Sequence, residues 1–103
     1  MSAKTEFDLR VISYPEDGLW LAHCLELDIV VEGETAKQAL ADLIDLCLLH
    51  IRTAIDENDL VSIIRPAPGE YWKMFFSARK RKRIRPSPNG VLAEIEGRKV
   101  ELV

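Results

Sequence analysis

The apolar period of this chain changes once, at Thr35, and that change restricts the folds open to it. Ahead of Thr35, apolar residues recur at every second position, as in Phe7, Leu9 and Val11. Behind it, Ala36, Ala39, Leu40, Leu43, Cys47, Ile51 and Ala54 recur at helical spacing. A period of two marks a strand with one buried face, and a period near 3.6 marks a helix laid on an apolar surface. Strands followed by one long helix close as a sheet covered by that helix, an α+β arrangement.

The helix has a legible start. Thr35 followed by Gln38 forms a T-x-x-Q capping box, in which the hydroxyl accepts from the Gln38 amide. The helix is expected to run to about Asp56 and to stop near Asn58. Ile44, Leu46, Leu48, Leu49 and Ile55 carry apolar surface beyond the sheet-facing stripe. A helix apolar this far round calls for a second cover, either the C-terminal segment or another copy of the chain. A homo-oligomer, dimer or higher, is the expectation.

Three strands precede the helix: 7–14, Leu19–Cys24, and a third closed by Ile29, Val30 and Val31 before Gly33. In the second, Leu19 and Leu21 share one face while Trp20, Ala22 and Cys24 share the other. Pro15-Glu16-Asp17-Gly18 reads as a turn and Leu25-Glu26-Leu27-Asp28 as a short corner. After the helix, 60–64 reads as a weak strand or extended link, and 68–77 as a short helix entered through proline. A loop at Pro86-Ser87-Pro88-Asn89-Gly90 leads to 91–96 and 99–103, which alternate about Gly97 as a hairpin would. The predicted fold is thus α+β: a three-stranded antiparallel meander packed on one long helix (β-β-β-α), then a short helix and a C-terminal β-hairpin.

With 103 residues there is room for one domain, 1–103. No apolar run stands behind the N-terminal lysine, so no signal peptide is read there. No apolar stretch exceeds four residues, so no membrane span is expected. Cys24 and Cys47 make a single pair, and reduced thiols in a bacterial-type cytoplasm are the expected state. The net charge of −3 conceals an asymmetry. Arg79, Lys80, Arg81, Lys82, Arg83 and Arg85 hold six of the fourteen basic residues, leaving eight basic against seventeen acidic residues elsewhere, a balance of −9. Such a body suits a basic partner on one side and an anionic one on the other.

The string from Tyr14 through Pro-Glu-Asp-Gly-Leu-Trp-Leu-Ala-His-Cys-Leu-Glu-Leu-Asp to Thr35, followed by Ala39-Leu40, resembles the N-terminal domain of the HicB antitoxin family. Turn, C-L-E-L-D corner and G-x-T cap occur in order, and the likeness covers about residues 6–57. The resemblance implies a β-β-β-α core similar to a degraded ribonuclease H fold, with 58–103 as a C-terminal extension holding the short helix, basic segment and hairpin. It further implies a partner, a small basic RNA-cleaving toxin of the HicA type, neutralised by occlusion. Many relatives add a helix-turn-helix or ribbon-helix-helix segment that binds operator DNA, and residues 58–103 show neither pattern clearly. Glu26, Asp28 and Glu32, with Glu16 and Asp17, cluster at the turns of the meander, where a basic toxin would find complementary charge.

Chemistry of its own is not expected. Asp8, Asp28, Glu32 and Asp45 supply carboxylates of the type a metal-dependent nuclease needs, but no motif orders them. His23-Cys24 and Cys47-x-x-His50 contain zinc-ligand types, yet neighbours on a strand point to opposite faces. No catalytic residue, metal or cofactor is predicted. The basic run 79–85 adjoins Tyr71, Trp72, Phe75 and Phe76, so a nucleic-acid-binding regulator is one alternative. A solvated edge strand or loop is the simpler account of those charges. A stand-alone HicB-like protein without a toxin is the other alternative.

Overall fold

The first half of the chain follows its alternation and turn chemistry. In a computed structural model, which describes residues 5–78, 80–84 and 91–99, the chain opens with β1 (Thr5–Glu16), β2 (Leu19–Cys24) and β3 (Ile29–Gly33) as an antiparallel meander. Pro15 and Glu16 belong to β1 and pair with Trp20 and Leu19, so the turn is tighter than the four residues expected. Only Asp17 and Gly18 remain to reverse the chain, with φ of 50° and 81°. Two successive positive φ values match the twist of a two-residue hairpin, and Gly18 adopts its value without a Cβ penalty.

The helix α1 (Ala36–Asp56) lies where the period change puts it. Thr35 is extended and its side chain accepts from the Gln38 amide at 3.0 Å. Ala39, Leu43, Cys47, Ile51 and Ala54 are its buried stripe. The first four of these pack on Leu9, Val11, Ala22 and Cys24, so the alternation of β1 and β2 chose the face that α1 covers. Each fully buried Leu or Ile here contributes roughly 1.5–3 kcal/mol. Gly33 permits the close approach: a Cβ there would stand 2.7 Å from the backbone nitrogen of Ala39.

The opposite face of the sheet is also covered. The segment expected as a weak strand or extended link holds a 3-10 turn, Val61–Ile63, and then runs as extended chain to α2 (Gly69–Ser77). Ala67 and Phe75 pack on Ile12 and Leu25 there, with Tyr14, Tyr71, Trp72 and Met74 around them. The apolar surplus on α1 therefore finds most of its cover inside one molecule. Ile44, Leu48 and Ile55 lean on the α1-side core and Leu46 is half-buried, which leaves Leu49, at 58 % exposure, as the open member of that set.

The C-terminal part completes the sheet. β4 (Lys80–Ile84) and β5 (Val91–Lys99) pair antiparallel, and β5 lies parallel to β1, which gives the order β3-β2-β1-β5-β4. The hairpin expected about Gly97 is corrected by this pairing: Gly97 is buried inside β5, and the partner strand is the basic run. Val91–Lys99, Gly97 included, is one continuous strand. The second arm expected at 99–103 lies outside the described residues beyond Lys99, as does the loop 86–90.

Candidate functional site

The corner that joins β2 to β3 gathers bonds from every part of the fold. Leu25 donates its amide to the Arg10 carbonyl at 2.9 Å and accepts at its own carbonyl from Ala67 at 2.7 Å. The Glu26 carbonyl accepts from the Arg65 amide at 3.0 Å. The Glu26 carboxylate is held by β1: Oε1 accepts from the Arg10 backbone amide and Oε2 from Arg10 Nη1, both at 2.7 Å. The Arg10 guanidinium also lies 5.9 Å from the centre of the Trp72 ring, within cation–π range. Trp72 Nε1 in turn donates to the Ala67 carbonyl at 3.0 Å. One arginine thus ties the meander, the corner and α2 together.

Asp28 closes the corner with φ of 51°, a left-handed conformation in which Asp is among the better tolerated residues. Its Oδ1 sits 2.7 Å from Nε2 of His23, whose ring is buried against Tyr71 with centroids 4.5 Å apart. The Nδ1 of His23 is buried without a hydrogen-bond partner among the described residues. Tyr71 stacks on Tyr14 at 6.3 Å. Partial burial, then the nearby Tyr71, Glu16, Glu70 and Asp28, pushes the Tyr14 phenol up to about 12.

The three acidic residues expected to meet a partner are therefore not equivalent. Glu26 is spent on Arg10, and its side chain is 18 % exposed. Asp28 is shared between His23 and solvent. Glu32 stands exposed on β3, the end strand of the sheet, with Glu34 just beyond it. Lys80, Arg81, Lys82 and Arg83 of the basic run lie on β4, the opposite end strand, whereas Arg79 and Arg85 lie outside the described residues.

The nuclease-type carboxylates do not form a set. Asp8 is exposed on β1 and Asp45 is exposed on α1, apart from the corner that holds Asp28. Among the described residues no group of three or more His, Cys, Asp or Glu could hold a metal ion. Cys24 and Cys47 hydrogen-bond to each other in the α1-side core, and that bond together with burial pushes the Cys47 thiol up. His23 faces the other side of the sheet and His50 is exposed.

Arg10, Arg65, Tyr71 and Trp72 escaped the sequence reading as members of this site. The signal for Arg10 is the one cation on β1, with a carboxylate sixteen residues on at Glu26. A shallow open groove of about 220 Å³ lies elsewhere, between the end of α1 and the 3-10 turn, lined in part by Leu49, His50, Thr53 and Ile63. No described helix is long and apolar enough to cross a membrane. Comparison with known family models, with curated proteins and with solved structures gave no match.

Proposed function

We propose that this chain is a HicB-like antitoxin-type binding protein that neutralises a HicA-type RNA-cleaving toxin by occlusion, in the cytoplasm of a bacterium. The observation that carries the proposal is the coincidence of the resembling string with one folded unit. Tyr14 to Thr35 spans the hairpin, the bonded corner and the helix cap, and its Asp28 and Glu32 come to the solvent side of that unit. A basic toxin is steered to such carboxylates and is then blocked by the surface it covers. No bond is made or broken, so the chain acts as a binding protein and not as an enzyme.

The test is to look beside this chain's gene for a reading frame encoding a short basic protein and to assay RNA cleavage by that product. Equimolar chain should abolish cleavage, and the chain alone should leave RNA intact. Full cleavage in the mixture overturns the proposal, and a gene with no such neighbour favours the stand-alone alternative.

One observation favours the nucleic-acid-binding alternative: four consecutive basic residues, Lys80 to Arg83, on an end strand. Retardation of labelled RNA or duplex DNA that falls steeply with salt supports it.

A further inference from the structure

We infer that the two ends of the sheet are complementary and that copies of this chain associate head to tail, β3 of one molecule accepting β4 of the next. The inference uses the same Glu32 edge that the proposed function gives to a toxin, so a toxin and a second copy would compete for it. The two end strands are matched in length, Ile29–Gly33 and Lys80–Ile84, five residues each. They are opposite in charge: Glu32 on β3 is flanked by Asp28 and Glu34, while β4 reads Lys-Arg-Lys-Arg-Ile. They also run in opposite directions. β3 is parallel to β1 through two antiparallel steps, and β4 opposes β5, which is parallel to β1. A neighbour shifted along the sheet therefore meets β3 in the antiparallel sense, which simple backbone pairing accepts.

The register adds a reason for β4 to need an acidic neighbour. The pairing puts residues of like charge opposite each other at two of the five facing positions, Lys80 with Lys99 and Arg81 with Arg98, and residues of opposite charge at one, Arg83 with Glu96. Like charges directly opposite one another are destabilising, and a strand carrying carboxylates on the outer side relieves them. Charges on end strands ordinarily discourage pairing. Here they forbid β3 with β3 and β4 with β4, and they leave the mixed pair. Val30, 46 % exposed on β3, adds apolar surface to that seam. Nucleic acid could meet the charge of β4 but not its outward row of amide and carbonyl groups, which is why a strand is the better occupant.

Two charge-reversed variants test this. Glu32→Lys with Glu34→Lys blocks the acidic end, and Lys80→Glu with Lys82→Glu blocks the basic end. By light scattering at about 50 mM salt, where screening is weak, the natural chain should exceed a dimer and its mass should climb with concentration. Each variant alone should be a folded monomer by circular dichroism and mass. Their mixture should associate again, because the intact basic end of one meets the intact acidic end of the other and the two reversed ends are also opposite in charge. At about 0.5 M salt the natural chain should dissociate at least tenfold more readily. A natural chain that stays monomeric at roughly 100 μM overturns the inference, as does a mixture that stays monomeric. Unchanged oligomers in both variants overturn it too, and point to a different face. A monomeric natural chain that retards RNA through Lys80 and Lys82 assigns β4 to nucleic acid instead.

Discussion

Arg10 grips Glu26 twice, once with its backbone amide and once with its guanidinium, both at 2.7 Å. Both ends of that contact are tied further, Arg10 to Trp72 and the Glu26 carbonyl to Arg65. The C-L-E-L-D corner is thus bonded to β1 and to the segment before α2, and Asp28, two residues on from Glu26, is presented from that base.

Removing either partner should loosen the corner. Glu26→Ala leaves the Arg10 amide without its acceptor, and Arg10→Ala removes the guanidinium. The Arg10 side chain is 41 % exposed, so solvent screens part of the charge term. Each substitution should cost about 1–2 kcal/mol in urea unfolding, and the double variant less than the sum of the two. An additive pair would show that the contact contributes nothing.

Gly33→Ala should be costlier than most single changes on the meander. The new Cβ would fall 2.7 Å from the Ala39 nitrogen and 3.0 Å from its Cα, and backbone cannot swing aside. Overpacking of this kind costs about 1–3 kcal/mol, read as a lower midpoint in denaturant. An unchanged midpoint would mean that α1 sits further from the sheet than described.

Tyr14 makes stability depend on alkaline pH. Its folded pKa is raised from 10.0 to about 12, so the fold prefers the neutral phenol. The unfolded chain releases that proton first, so this part of the stability is present below pH 10.0 and is lost as pH rises toward about 12. Tyr14→Phe should flatten the loss over that window relative to the natural chain. Parallel curves would assign the alkaline loss to other groups.

The paired thiols should be silent in the native state. Cys24 and Cys47 are both buried, and hydrogen bonding with burial holds Cys47 above the ordinary thiol range. A soluble thiol reagent should label neither until the protein opens, and the labelling rate should rise with denaturant. Immediate labelling in buffer would contradict the packing.

Much of the first half was legible because local chemistry and long-range packing agree there. The Thr35 cap, the two faces of β2 and the stripe from Ala39 to Ala54 all follow from spacing alone. The second half was misread where that agreement fails. Alternation about Gly97 is the same whether the chain turns there or runs straight, and only the parallel pairing of β5 with β1 decides it. The charges of the basic run suit a solvated edge strand, and Lys80–Ile84 form one, but nothing in their spacing names β5 as the partner. On spacing alone Ile44, Leu48 and Ile55 call for a second cover, the C-terminal segment or another copy, because a helix wheel does not show how widely a sheet wraps it. Glu26 was taken for a free acid because Arg10 lies sixteen residues away in sequence.

The most direct test of the proposed function is a calorimetric titration of the chain with a purified HicA-type toxin, at about 50 mM salt, comparing Glu32→Lys with the unaltered chain. Glu32 is the carboxylate of choice because it is exposed and unlike Glu26 is not bound to Arg10. The account predicts an equimolar complex with the unaltered chain and affinity about tenfold weaker for the variant. No heat of binding at roughly 100 μM, or equal affinity for both proteins, would contradict it.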